Sequence, residues 1–302
     1  MCNYELLAID EGVSDADVLA QADIAIERLG GDLSKFPYLL LTSQGSFLDD
    51  HEVGRELRSQ LLRKFWAAGL RAISTESEAR YCLDATRLRE MLAAFPGRIS
   101  IGIGLEAAND FIRNSIINKG LPSHMFVEAT DIIRDEGLHF YTYITLGKPF
   151  LSPSEDVADA VAAVRFSAEH GAFMSVIEMI NVQPHTLTER LWRDGTYIPC
   201  SLWRGVALLR GLRADDRDLV SIKGFDADIS PVPLAVPRSC EACDSTLRAA
   251  FNHWNFHRDY AAFEGKVTAC SCEEPHSPSY EIPIESRVRE AVEALAVAQG
   301  AE

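Results

Sequence analysis

Long apolar runs and an excess of positive charge are both missing from this sequence. No run approaches the roughly 18 consecutive apolar residues of a membrane span, so the sequence suggests no membrane partner. The 302 residues include 29 basic and 45 acidic side chains, a formal net charge of −16. Because each phosphate contact needs a nearby cation, this balance disfavours a polyanionic partner held mainly by electrostatics. The first twelve residues are acidic, where a secretory leader would be basic, so we predict a cytoplasmic protein.

The sequence signatures of several enzyme classes are missing as well. The chain shows no serine–histidine–aspartate order, no Walker loop and no Rossmann glycine fingerprint. It is 47% hydrophobic and 25% charged, which is the composition of a globular protein with ample material for a core. The nearest thing to a basic patch is a set of scattered arginines, for which solvated surface positions are the simpler interpretation: Arg204, Arg210, Arg213 and Arg217.

Strand and helix patterns alternate along most of the chain. Five apolar, β-branched segments have helical patterns between them, and they cover residues 38–42, 71–76, 99–104, 139–146 and 174–180. This alternation predicts an α/β fold with a parallel sheet, either closed as a partial barrel or open and doubly wound. From Ser221 the pattern gives way to a tail rich in proline and cysteine. We therefore predict a boundary near Asp218, with one domain over 1–218, an extension over 219–302 and a terminal helix over 285–298.

Polar residues collect where the predicted strands end. In a parallel β/α array these ends share one face, which is the usual ligand-binding face. Carboxylates combined with amides suit ribose hydroxyls and an amino-acid head group, and a lysine suits a substrate carboxylate or another anion. Solvated strand ends are the alternative. The candidates are Gly45, Ser46, Glu76, Glu106, Lys148, Asn181 and Gln183.

Four cysteines in the tail form two close pairs about 30 residues apart. Such pairs in an intracellular chain favour a four-thiolate zinc site over unliganded thiols, with disulfides in third place. His253 and His257 lie between the pairs and are possible substitutes for a thiolate. Cys82 and Cys200 are expected in the core. The predicted zinc ligands are Cys240, Cys243, Cys270 and Cys272.

Four segments together resemble the radical S-adenosylmethionine (SAM) enzymes, and among them the archaeosine-biosynthesis family, whose barrel is related to that of the elongator catalytic subunit. They are GLEAANDFIRNSIINKG (104–120), TSQGSFLDD (42–50), KPFL (148–151) and NVQPHTLTERLW (181–192). The resemblance implies a partial (β/α)6 barrel lacking its first strand, with a C-terminal cysteine-rich extension. It also implies a 4Fe–4S cluster and SAM, which together yield a 5′-deoxyadenosyl radical that modifies a nucleoside, a tRNA or a small molecule.

The resemblance further assigns roles to the residues at the strand ends. Gly45 and Ser46 would contact the methionyl amine, Glu106 the ribose region and Glu76 the same pocket. Asn181 and Gln183 would lie near the adenine or the substrate. Flavodoxin or ferredoxin is the implied reducing partner. The acidic net charge favours a small-molecule substrate, whereas the family implies tRNA.

The sequence departs from the family pattern at its cluster motif. The family holds its cluster with CxxxCxxC, because three thiolates leave one iron open for SAM. Here only Cys2 matches, as the third cysteine. We expect either a translation start further upstream or a protein that has lost its cluster. The rivals to radical chemistry are a cluster-less barrel that binds SAM or a nucleoside, and a tRNA-binding subunit.

Overall fold

Six parallel strands form a sheet that curls into a half-barrel. The computed structural model describes residues 12–42, 45–226, 232–264, 270–273 and 282–300. Each strand pairs in parallel with the next along the chain, so the spatial order is the sequence order. The strands are β1 (Leu39–Leu41), β2 (Ala72–Glu76), β3 (Arg98–Glu106), β4 (His139–Leu146), β5 (Ser175–Met179) and β6 (Val220–Lys223).

Helices connect the strands, follow the sheet and precede it. They are α1 (Asp15–Arg28), α2 (Arg55–Ala67), α3 (Ala85–Ala94), α4 (Ser123–Asp135), α5 (Pro153–Glu169), α6 (Leu187–Arg193), α7 (Trp203–Gly211), α8 (Ala214–Asp218), α9 (Glu241–His257), α10 (Ala261–Glu264) and α11 (Ile284–Gly300). None of these helices is long and apolar enough to cross a membrane.

The alternation of side chains along β3 separates the core from the barrel interior. Ile99, Ile101 and Ile103 are almost completely buried in the main core. The glycines between and after them, Gly102 and Gly104, lie on the opposite face because successive strand residues point to opposite sides. A side chain at Gly102 would collide with the Tyr141 ring. The small residues of β3 therefore make room for large side chains inside the barrel.

Three helices begin at a Ser or Thr whose side chain caps the first turn. Ser14 caps α1, and Ser152 forms a complete capping box with Glu155 at the start of α5. Thr186 caps α6 by accepting the N–H of Glu189. In a capping box the Glu189 carboxylate would accept the N–H of Thr186. Here it accepts the N–H of the preceding residue, His185, at 2.5 Å. His185 has a positive φ of 62°, which places its N–H differently from that of a regular preceding residue.

The sixth strand lies where the sequence pattern was expected to end. β6 pairs with β5, and α9 covers it. Trp254 donates from Nε1 to the Val220 carbonyl at 3.0 Å, while Asn255 accepts the Ile222 N–H at 2.8 Å and donates to its carbonyl at 2.7 Å. The first part of the tail therefore shares the barrel core. The division of the chain at residue 218 stays a prediction.

Candidate functional site

Three strands bring a carboxylate to the barrel interior near their carboxyl ends. Glu76 ends β2, Glu106 ends β3, and Glu178 is the penultimate residue of β5. Glu178 was missed from the sequence, because it stands inside an apolar strand rather than after it. Burial and the negative charges of Glu106 and Glu76 together raise the pKa of Glu178 to about 7, against the opposing charge of Lys223. Glu178 therefore lies within the electrostatic influence of the other two carboxylates.

Glu76 is held by two hydroxyl groups, one just beyond the end of β1 and one on β4. Thr42 donates to Glu76 Oε2 at 2.7 Å, and Tyr143 donates to Oε1 at 2.5 Å. Tyr141 lies beside Tyr143, with 3.4 Å between their hydroxyl oxygens. Burial, the neighbouring Tyr141 and the bond to Glu76 raise the pKa of Tyr143 far above its ordinary value, so it remains a donor. The predicted ligand residue Glu76 is thus fixed in orientation.

Glu106 sits on a strained turn of the backbone. Its φ is +67°, in a region that residues other than glycine rarely adopt. The register of the pairing between β3 and β4 also shifts between Gly104 and Glu106. A Cβ at Gly104 would collide with the Glu106 carboxylate and with the Lys119 ammonium, which lie 3.4 Å apart. Thr145 donates to the Glu106 carbonyl at 3.0 Å. The backbone of Glu106 is therefore held in a strained conformation that turns its carboxylate, as is common at functional sites.

The loop with Gly45 and Ser46 is packed against the end of β2. The Phe47 N–H donates to the Glu76 carbonyl at 2.9 Å, and the Ser46 N–H donates to Glu52 Oε2 at 2.7 Å. A side chain at Gly45 would overlap the Glu52 carboxylate. Ser46 is 3% exposed. The structure thus places the predicted Gly45–Ser46 pair next to Glu76.

Asn181 and Gln183 lie just beyond β5 and bond to each other. Gln183 donates from Nε2 to Asn181 Oδ1 at 2.8 Å. Gln183 is 9% exposed, and its Oε1 is buried without a hydrogen-bond partner among the described residues. A buried amide oxygen left unpaired costs about 1–3 kcal/mol. A donor on a bound ligand would remove that cost.

Lys148 is placed differently from the other candidates. Its ammonium is fully buried, 3.1 Å from Asp156 Oδ1 and 3.2 Å from Asp159 Oδ2, and Arg204 contacts Asp156 at 3.2 Å. Burial acts to lower the pKa of Lys148, but the two carboxylates outweigh it and the pKa is raised. The charge of Lys148 is therefore neutralised inside the protein. We leave it out of the ligand-binding residues proposed below.

The four tail cysteines come together as predicted. Their sulfur atoms all lie within 4.8 Å of one another, and Cys240 and Cys270 are 3.8 Å apart. Tetrahedral zinc with Zn–S bonds of about 2.3 Å separates its sulfurs by about 3.8 Å, whereas a disulfide needs about 2.05 Å. Trp203 donates from Nε1 to Cys272 Sγ at 3.3 Å. Burial works against ionisation of Cys272, but hydrogen bonds with the backbone and side chain of Cys240, with Trp203 and with Cys270 lower its pKa to about 6. The set fits a single tetrahedral metal ion.

The described residues do not provide a matching set for a 4Fe–4S cluster at the strand ends. Cys2 lies outside the described residues, so its predicted role as a cluster ligand stays a prediction. Cys82 and Cys200 are single buried thiols, as expected, and burial raises the pKa of Cys82 to about 12. A cluster with an open iron needs three thiolates close together. Within the described part of the chain, no three cysteines meet beside Glu76 and Glu106.

Comparisons with known proteins identify relatives of this chain, although no family model matches it. Archaeosine synthase subunit beta of Methanosarcina acetivorans is 27% identical over 285 residues, which cover 91% of this chain and 77% of that protein. The protein of the same name from Thermococcus kodakarensis is 31% identical over 214 residues, covering 69% of this chain and 64% of that protein.

A solved structure shares the fold. The archaeal Methanocaldococcus infernus Elp3 with an N-terminal deletion has a TM-score of 0.55 at 15% identity, covering 80% of this chain and 57% of that chain. The chain therefore spans less than two thirds of Elp3 and of the Thermococcus relative. The predicted partial barrel is confirmed, and these relatives and this fold support the predicted resemblance to the radical SAM, archaeosine/elongator-like family.

Proposed function

We propose that this chain binds SAM at the carboxyl ends of its strands and serves as a subunit of a tRNA-modifying system. The observation that carries the proposal is the presence of two oriented carboxylates, Glu76 and Glu106, at the ends of β2 and β3, together with the unpaired amide oxygen of Gln183 beyond the end of β5. SAM carries an ammonium, a sulfonium and two ribose hydroxyls, and carboxylates are good acceptors and counter-charges for all of them. The adenine amino group is a suitable donor for Gln183.

Each residue has a distinct task in this proposal. Glu106 accepts from the ribose hydroxyls, and its strained backbone aims it before the ligand arrives. Glu76 supplies negative charge and is kept in place by Thr42 and Tyr143. The Gly45–Ser46 loop borders the amino-acid end of the ligand. The tyrosines and the curled sheet exclude water from the interior, which strengthens the polar contacts.

Radical chemistry requires a cluster that the described residues do not hold. With a 4Fe–4S cluster, SAM would supply a 5′-deoxyadenosyl radical, and a flavodoxin or ferredoxin would deliver the electron. Without one, the barrel binds SAM or a nucleoside and leaves the chemistry to a partner. Iron content after anaerobic reconstitution of a chain extended into the upstream reading frame, compared with its Cys2→Ala variant, decides between these two forms of the proposal.

The names of the relatives support a complex. Two of the curated relatives are called a beta subunit of archaeosine synthase, which favours a second subunit and a tRNA substrate over a free small molecule. A cytoplasmic location suits that substrate. We further propose that Cys240, Cys243, Cys270 and Cys272 bind one structural zinc ion, because their sulfur spacing matches a single tetrahedral centre.

SAM binding to the purified chain tests the proposal. By isothermal titration, Glu106→Gln should weaken binding about tenfold or more, because it removes a charged acceptor. The matched control is Glu128→Gln, which changes an exposed carboxylate on α4 and should leave the affinity unchanged. Absence of saturable SAM binding, or equal binding by the wild type and Glu106→Gln, would contradict the proposal.

A further inference from the structure

Glu178 is the carboxylate of the barrel interior that the proposed function leaves unused. It lies on β5 in register with Thr145 of β4 and Lys223 of β6, so it occupies the same level as the strand ends. A Cβ at Gly224 would collide with the Met179 backbone, 2.3 Å from its carbonyl oxygen, and would also lie 3.1 Å from Glu178 Oε2, so the start of the segment after β6 packs closely against this part of β5. The residue is partly exposed. A ligand in the interior can therefore reach it.

The charges around Glu178 are unbalanced. Glu76 and Glu106 act on it from β2 and β3, and Lys223 acts on it from β6. Glu106 already has Lys119 as an ion-pair partner, and Glu76 already has two hydroxyl donors. Glu178 has no hydrogen bond or ion pair within the described residues, and the exposed Lys223 does not bring its pKa back to the ordinary range. A positive charge is what this position lacks.

We propose that Glu178 makes the site selective for a positively charged ligand, so that SAM is preferred over the neutral thioether S-adenosylhomocysteine. This inference rests on the proposed function. The two compounds share adenosine and the amino-acid head group and differ in the methyl group and charge at sulfur. Glu76 and Glu106 bond to groups that both compounds have, whereas Glu178 responds to the charge that only SAM carries at sulfur.

Proton linkage gives this selectivity a pH dependence. Because the pKa of Glu178 is raised to about 7 by burial and by its acidic neighbours, a fraction of the free protein is protonated there at neutral pH. A cation that binds only the ionised form competes with that proton. SAM affinity should therefore rise between pH 6 and pH 8, while the affinity for the thioether should not follow it. Among the described residues, the other titratable groups around this interior are Glu76, Glu106, Lys119, Tyr141, Tyr143 and Lys223.

The experiment measures the dissociation constants of both compounds on the whole chain at pH 6, 7 and 8. The wild type should prefer SAM by about tenfold or more, the ratio that corresponds to one pKa unit of coupling. Glu178→Gln keeps the shape and removes the charge, so the preference should collapse toward one and its pH dependence should vanish. Lys223→Met removes the cation that lowers the pKa of Glu178, so the rise in SAM affinity with pH should shift to higher pH. Glu128→Gln is the control and should match the wild type.

The outcomes separate the inference from the function beneath it. If the wild type binds neither compound, the proposed function fails and this inference with it. If the wild type binds SAM and Glu178→Gln keeps the same preference, the proposed function stands and the inference is overturned. Circular dichroism checks that Glu178→Gln is folded. Should it not fold, an unchanged pH dependence of SAM affinity in Lys223→Met would overturn the inference, and a shift of that dependence to higher pH would support it.

Discussion

The buried charge of Lys148 is important for the stability of the fold. Its ammonium lies between Asp156 and Asp159, and Asp156 also accepts the Gly147 N–H at 2.7 Å. Replacing Lys148 by Met removes the ammonium between two buried carboxylates and leaves Arg204 near Asp156 and Arg113 near Asp159. Breaking a buried pair in this way costs about 3–5 kcal/mol. We expect Lys148→Met to lower the free energy of unfolding in urea by about that amount.

An exposed ion pair provides the matched control for that substitution. Lys64 contacts Asp23 on the surface, where the Asp23 side chain is 63% exposed. Surface pairs of this kind contribute about 0–1 kcal/mol, so Lys64→Met should change the unfolding free energy little. Equal losses in the two variants would show that the buried ammonium does not hold the strand-end loops together.

The residues of the site differ in how well the sequence predicts them. Glu76 and Glu106 were foreseeable, because each carboxylate ends an apolar strand. The left-handed backbone of Glu106 was not, since it depends on the register shift against β4. Glu178 looked like part of a buried strand, and only the neighbouring strand ends reveal its surroundings. The position of Lys148 depends on how α5 packs, which no local pattern contains.

The elements that the sequence predicts best are those with strong local signals. Ser14 and the Ser152–Glu155 box mark helix starts that the structure has. β6 was missed because it has only four residues and lacks a clear alternation. Its place in the sheet depends on α9, whose Trp254 and Asn255 bond to it from more than 30 residues away. Such a pairing is set by tertiary contacts.

The zinc proposal leads to a prediction about how α9 is held. Because Leu247, Phe251 and Trp254 of α9 lie in the same core as the barrel strands, metal loss should destabilise the barrel as well as the tail. The purified chain should contain about one equivalent of zinc. Cys243→Ser should lower that content and shift one cooperative melting transition to lower temperature, since metal-binding energy is folding energy.

Calorimetry combined with metal analysis checks this prediction. Ser245→Ala changes an exposed residue of the same helix and should leave both the zinc content and the transition unchanged. A fully metal-free chain that melts at the same temperature as the metal-loaded one would contradict the zinc proposal. A separate early transition in Cys243→Ser would instead show that the tail unfolds independently of the barrel.

At the scale of the whole molecule, the alternation of strands and helices predicted the parallel sheet but not its shape. A partial barrel and a doubly wound sheet use the same βα period. The strand order distinguishes them: here it runs from β1 to β6 without reversal, so the sheet has no switch point and curls in one direction. Strand order depends on tertiary packing, so the periodicity of the sequence could not distinguish a partial barrel from a doubly wound sheet.

Four arginines formed the only basic patch suggested by the sequence, and in the structure each has a partner. Arg204 contacts Asp156, Arg210 contacts Glu273, and Arg213 contacts Asp216. Arg217 stacks over the Tyr260 ring, 3.9 Å from its centroid. Three of the four charges are thus opposed by carboxylates on a chain whose net charge is already −16. This patch offers little free positive charge to a phosphate backbone.

We therefore expect this chain alone to bind tRNA weakly, with a dissociation constant of about 10⁻⁶ M or weaker at physiological salt. Filter binding at about 50 and 200 mM salt measures both the affinity and its salt slope. A protein that makes 6–10 phosphate contacts loses about 10³–10⁵ in affinity over that interval, and this chain should lose far less. If the proposed partner subunit carries the phosphate contacts, adding it should restore tight binding and a steep slope together. Tight, strongly salt-dependent binding by the chain alone would contradict this expectation and would show that local cations outweigh the acidic net charge.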